Sequence, residues 1–150
     1  MTLEQIASEV NRYPAADMIV LTGGEPSLFI DEPFIAELKR LTNKRIAIET
    51  NGTRPIPANI DWVTLSPKSG FAGGDAEPCM LTRCDELKVV YQGQDLAQYD
   101  NIETHNRFLQ PCYCDDAEQR QHNLQECVEA VMTHKGWRLS LQIHRILGIK

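Results

Sequence analysis

Ile19-Val20-Leu21-Thr22-Gly23-Gly24-Glu25-Pro26 decides the fold of this chain. An apolar run stops at two glycines, a carboxylate and a proline. A continuous apolar run of this length reads as a strand covered on both faces, as in a parallel sheet. The glycines let backbone approach a neighbour with no Cβ in the way. Ligands of parallel sheets sit beyond the carboxyl ends of the strands, so Gly23, Gly24 and Glu25 are candidate ligand contacts, with Glu25 suited to a cationic amine. Taken alone, the motif is equally a tight strand-to-helix turn.

The same pattern repeats downstream. Ile46-Ala47-Ile48-Glu49 ends in Thr50-Asn51-Gly52-Thr53, Asp61 to Leu65 ends in Ser66-Pro67-Lys68, and Arg107-Phe108-Leu109-Gln110 ends in Pro111. Glu86 to Tyr91 is a further strand. Upstream, Thr2 and Gln5 form a capping box for a helix over about 3–12 with Leu3, Ile6, Ala7 and Val10 on one face. A second helix begins at Asp31 or Glu32, carries Pro33 in its first turn and buries Phe34, Leu38 and Leu41. Residues 69–84 show no period and read as a loop, and 95–105 holds at most a short helix. The longest helix is capped by Asp115 or Asp116, carries Leu124, Cys127, Val128 and Val131 on one side, and stops at Gly136. After it, Trp137, Leu139, Leu141 and Ile143 alternate with Arg138, Ser140, Gln142 and His144, which predicts a last strand with one buried and one polar face. The expected fold is α/β: a mostly parallel, partial (β/α) barrel-like sheet in one domain over 1–150, with some connecting helices missing.

Composition fits a single globular domain. The chain has 150 residues, 42% of them apolar and 24% charged, with a net charge of −6. That charge argues against a general nucleic-acid binder. No stretch reaches membrane-spanning length, and the first residues lack the order of a signal peptide, so a cytoplasmic location is expected. The charged residues after His134 (Lys135, Arg138, Arg145, Lys150) are all basic.

The five cysteines are Cys79, Cys84, Cys112, Cys114 and Cys127. They are odd in number and irregularly spaced, and none forms a Cys-x-x-Cys pair. Buried or surface thiols are the plain reading, and Cys112-x-Cys114 is a poor metal pair. The histidines form no metal pair either. His144 stands out because it shares the polar face of the last stretch with Gln142, Ser140 and Arg138.

In chain order, Leu21-Thr22-Gly23-Gly24-Glu25-Pro26, Glu49-Thr50-Asn51-Gly52-Thr53, Ser66-Pro67-Lys68, Asp85-Glu86-Leu87-Lys88, Phe108-Leu109-Gln110-Pro111 and Trp137 to Gln142 with His144 resemble the 7-carboxy-7-deazaguanine synthase (QueE) family of the radical S-adenosylmethionine superfamily. The resemblance runs from about residue 17 to the end. It implies a radical lyase that converts 6-carboxy-5,6,7,8-tetrahydropterin to 7-carboxy-7-deazaguanine for queuosine and related deazapurines. Its cofactors would be S-adenosylmethionine, a [4Fe–4S] cluster and Mg²⁺, and its assembly a homodimer. Gly23, Gly24 and Glu25 would hold the methionyl end of S-adenosylmethionine. Glu49, Asn51, Ser66, Pro67, Lys68, Gln110 and Pro111 would line its ribose and adenine. Thr22, Gln142, His144 and the carboxylate of Lys150 would meet the pterin.

The family's three-cysteine cluster segment has no counterpart here, and the five cysteines lie at other spacings. The resemblance therefore implies an N-terminally truncated form, with no cluster or Mg²⁺ ligands of its own and inactive as these residues alone. The competing readings are a non-catalytic S-adenosylmethionine-binding remnant, another radical enzyme such as a glycyl-radical activase, and a small-metal protein using Cys79, Cys84, Cys112 and Cys114.

Overall fold

A computed structural model describes residues 1–68 and 77–149. Part of the expected loop over 69–84, and the candidate contact Lys150, lie outside the described residues. Six strands form one sheet: β1 (Met18–Leu21), β2 (Arg45–Thr50), β3 (Trp62–Leu65), β4 (Glu86–Tyr91), β5 (Arg107–Pro111) and β6 (Trp137–Leu139). Their spatial order is their order in the chain, and every pairing is parallel. The expected mostly parallel sheet is therefore parallel throughout, in the strand order of an opened barrel.

The helices are α1 (Leu3–Asn11), α2 (Glu32–Thr42), α3 (Ala117–Thr133) and the short α4 (Ile143–Ile146). Their starts follow local chemistry. Thr2 and Gln5 make the reciprocal capping box of α1, and the Asp31 and Asp116 carboxylates accept from Phe34 N and Gln119 N to cap α2 and α3. Asn43 ends α2 in the left-handed region, at φ 53°. Between β4 and β5 the chain makes only a 3₁₀ turn over Leu96–Tyr99.

Side chains alternate across the strands. One set (Ile46, Ile48, Leu65, Leu87, Val89, Leu109) is fully buried. Of these, Ile46 packs with Ile35 and Leu38 of α2, and Leu65, Leu87, Val89 and Leu109 pack with Cys127 and Ala130 of α3. Each such side chain stabilises the fold by roughly 1.5–3 kcal/mol relative to exposure. Both helices thus cover the same face of the sheet. The opposite face carries the alternate residues, apolar ones such as Ala47, Trp62 and Phe108 together with the polar Glu49, Thr64, Lys88 and Gln110.

Two expectations need correction. The buried line of α2 is Ile35, Leu38 and Thr42, whereas Phe34 is only half-buried. The Phe34 stripe and the Ile35 stripe both have helical spacing, and it is the second that faces β2. The last stretch is not one long strand. Strand β6 ends at Leu139, and Gln142 opens α4. Leu141 and Ile143, expected on a buried face, are exposed. The ladder stops for a chemical reason. Ser140 N donates to Leu109 O, and in a parallel ladder the next bond would come from the N–H of residue 111. Residue 111 is proline and has none.

Candidate active site

The carboxyl ends of the strands enclose a cleft of about 580 Å³, within the size range of small-molecule sites. It is lined by Thr22, Gly23, Gly24 and Glu25 after β1, by Glu49 and Thr50 of β2 and Asn51 just after it, by Ser66 and Lys68 after β3, by Lys88 of β4, by Gln110 of β5, and by Gln142 and His144 at the start of α4. Residues from one edge of the sheet to the other therefore meet around one space.

The turn after β1 is built by its own carboxylate. Glu25 Oε1 accepts from Ser27 N at 3.2 Å and Ser27 Oγ at 2.6 Å, and from Thr50 Oγ1 at 2.7 Å. Glu25 Oε2 accepts from Asn51 N at 2.8 Å. Two of these bonds shape the turn locally, and two fasten it to the end of β2. Burial alone would raise the Glu25 carboxyl, but the bonds from Ser27, Asn51 and Thr50 outweigh it and hold its pKa below the usual 4.5. A carboxylate offers about four lone-pair sites. Oε2 has used one, which leaves it able to accept from a ligand cation.

Gly23 has φ +93°, a backbone that other residues rarely adopt. A Cβ at Gly24 would meet nothing within 4 Å. The fold therefore does not need glycine at 24 for packing. Gly52 is the opposite case: its φ is +76°, and a Cβ there would overlap Leu65 Cδ1 and lie 2.7 Å from Cys79 Sγ.

On the cleft face, Thr22 Oγ1 donates to Glu49 Oε2 at 3.2 Å, and Lys88 Nζ donates to Glu49 Oε1 at 3.3 Å. Lys88 Nζ also lies 3.5 Å from Glu86 Oε1. After β3, Lys68 Nζ donates to Ser66 Oγ at 2.9 Å, and Asn51 Oδ1 accepts from Thr53 N and Oγ1.

Of the residues singled out in the sequence, Thr22, Gly23, Gly24, Glu25, Glu49, Asn51, Ser66, Lys68, Gln110, Gln142 and His144 line the cleft. Pro67 is buried and Pro111 lines a separate hollow beside α3, so neither lines the cleft. Arg138 keeps the exposed, outward position expected of it, as the register partner of Phe108, but it does not line the cleft. Its guanidinium lies over the Phe108 ring at 4.4 Å and donates to Asn106 Oδ1. Thr50, Thr64 and Lys88 line the cleft as well, although the strand ends did not single them out. The available signal was the period-two run Glu86, Lys88 in an otherwise apolar strand.

The described cysteines do not fit a [4Fe–4S] cluster. Cys84 and Cys127 are core residues. Burial pushes the Cys79 and Cys84 thiols up, and the Cys127 thiol up to about 11, whereas a cluster needs thiolates. Cys112 lines the hollow beside α3. Among the described residues, no three His, Cys, Asp or Glu side chains gather as a metal site. No described helix is long and apolar enough to cross a membrane.

Comparison with known proteins places the chain in a family. No family model matches the chain. It is 47% identical over 150 residues to the 7-carboxy-7-deazaguanine synthase of Bacteroides thetaiotaomicron, covering all of this chain and 74% of that protein. The Bordetella pertussis and Caulobacter vibrioides proteins of the same name are 35% and 36% identical, over 66% and 69% of their lengths. The crystal structure of QueE from Escherichia coli superposes with a TM-score of 0.68 at 26% identity, over 95% of this chain and 64% of that one. The chain thus spans two thirds to three quarters of the length of these curated relatives. At that identity and coverage, the chain belongs to the 7-carboxy-7-deazaguanine synthase family, whose members are radical S-adenosylmethionine lyases.

Proposed function

We propose that the cleft binds S-adenosylmethionine and 6-carboxy-5,6,7,8-tetrahydropterin side by side, for ring contraction of the pterin to 7-carboxy-7-deazaguanine. One observation carries this reading: motif residues at the carboxyl ends of β1, β2, β3 and β5 and at the start of α4 all open onto a single polar cleft. Gly23 and Gly24 give a methionyl group access to backbone, and Glu25 Oε2 accepts from its ammonium. Ser66, Lys68, Asn51 and Gln110 offer donors and acceptors for ribose and adenine. Thr22, Gln142 and His144 face the pterin.

The family chemistry relies on a [4Fe–4S] cluster and Mg²⁺. The described cysteines do not fit the cluster, so the part of the reaction that falls to these residues is to bind, orient and desolvate two ligands. The same reading includes a single domain over 1–150, a cytoplasmic location and a homodimer. The exposed apolar side chains Ile143, Ile146, Leu147 and Ile149 support self-association, which light scattering would measure.

The test is calorimetric titration of the purified chain with each ligand under anaerobic conditions. Both bind. The change Gly24→Ala, which meets no protein atom, leaves the melting temperature in place and weakens S-adenosylmethionine by roughly tenfold or more, the cost of about 1.4 kcal/mol. Failure of the unaltered chain to bind either ligand refutes the reading.

A further inference from the structure

The cleft face of the sheet holds a charge pattern that the roles above leave unused. Glu49, Thr64 and Glu86 are register partners on β2, β3 and β4. Lys88 stands two residues beyond Glu86 on the same face. Its ammonium lies 3.3 Å from Glu49 and 3.5 Å from Glu86. The three side chains are 25%, 44% and 20% exposed for Lys88, Glu49 and Glu86. Pairs this long and this open contribute little to stability, about 0–1 kcal/mol. They also carry two negative charges against one positive, so the group is no attractor of anions. Lys88 and Glu49 both line the cleft, and Glu49 is the acceptor of Thr22 Oγ1.

We infer that Lys88 is a positioning residue for Glu49. Anchored by Glu86, its ammonium holds Glu49 Oε1, which fixes the direction of Oε2 and of the Thr22 hydroxyl that donates to it. A long carboxylate on a half-exposed strand end otherwise samples several rotamers, and fixing it before the ligand arrives removes that cost from binding. The fixed Glu49 carboxylate suits a ligand edge rich in N–H donors, such as the amino-pyrimidinone edge of a pterin. This inference rests on the reading of the cleft as a pterin site, and it sets Glu49, which the family resemblance assigned to ribose and adenine, on the pterin side, beside Thr22.

The test measures affinity for 6-carboxy-5,6,7,8-tetrahydropterin and for S-adenosylmethionine in four proteins: unaltered, Lys88→Met, Glu49→Gln, and the double variant, with Lys88→Arg as the rescue. Lys88→Met weakens the pterin roughly tenfold, within the range for hydrogen bonds involving a charged group. It changes S-adenosylmethionine by less than about twofold and leaves the melting temperature within about 2 °C. Lys88→Arg restores most of the pterin affinity. In the Glu49→Gln background, Lys88→Met adds less than about twofold, because its effect runs through Glu49. Unchanged pterin affinity in Lys88→Met overturns the inference while the pterin reading stands. Additive losses in the double variant also overturn it, since Lys88 would then contact the ligand directly. An unaltered chain that binds S-adenosylmethionine but no pterin refutes the pterin reading of this face, and the role of Lys88 with it.

Discussion

Replacing Glu25 by alanine should cost stability as well as ligand binding. The carboxylate receives Thr50 Oγ1 at 2.7 Å and Asn51 N at 2.8 Å from β2, besides the two bonds from Ser27. Hydrogen bonds to a charged acceptor each contribute about 1.5–3 kcal/mol. The Ser27 bonds are local and re-form with water. The Thr50 side is closed to water, since that residue is 3% exposed, whereas Asn51 is half-buried. Counting the Thr50 bond in full and the Asn51 bond at about half gives roughly 3 kcal/mol. For a domain of this size that lowers the melting temperature by about 6–12 °C. Glu25→Gln keeps one acceptor but sets an amide N–H against Asn51 N–H or Thr50 O–H, so it loses about 2 kcal/mol. The assay is urea unfolding of Glu25→Ala, Thr50→Val and the double variant. A coupling of at least ~1 kcal/mol between the two sites is expected. If Glu25→Ala melts within a degree of the unaltered protein, or the two changes add, Glu25 does not fasten the turn to β2 and the reasoning is wrong.

Two further outcomes follow from the geometry. Gly52→Ala forces a side chain into the left-handed region and onto Leu65 Cδ1 and Cys79 Sγ, so it destabilises by about 2–4 kcal/mol in chemical unfolding, in contrast to the silent Gly24→Ala. Acid unfolding should begin with the fastened carboxylates. Burial opposes the shifts at Glu25 and Asp61, but hydrogen bonds prevail, from Ser27, Asn51 and Thr50 at the first and from Lys39 and Ile46 N at the second. Their folded pKa values therefore lie below the ordinary 4.5 and 3.8. The unfolded chain takes up these protons first, so their stabilisation is complete above those values and declines as pH falls below them. In Asp61→Asn, the slope of urea stability between about pH 3 and 5 should be shallower than in the unaltered protein; an equal slope refutes the role of Asp61.

Most of the fold was legible because its signals are short-range. The runs at 46–49 and 86–91 fall in strands β2 and β4, each with one buried set of side chains, and Thr2, Asp31 and Asp116 cap the helices that follow them. Trp137 to Ile143 misled because alternation records only the wish to bury one face. Whether a strand forms also depends on its partner's donors, and Pro111 lies more than twenty-five positions earlier in the chain. The cleft residues after β1, β2 and β3 were legible as polar groups at strand ends. Lys88 was not. A lysine between Leu87 and Val89 looks the same whether its side chain meets solvent or the hollow of a curved sheet, and only the pairing of four strands tells the two apart.

The strand order carries a consequence for how the cleft is sized. In a flat sheet, β1 and β6 would stand roughly 24 Å apart, five spacings of about 4.8 Å. Yet Gly24, just past one edge, and Gln142, just past the other, border the same cleft. The distance between them is set by curl, summed over all five pairings, and no bond ties the two edges directly among the described residues. The sheet thus works as a caliper. A ligand gripped by both jaws reads the twist of every strand between them, and a packing change beneath β3 or β4 alters the grip at both ends without touching the ligand.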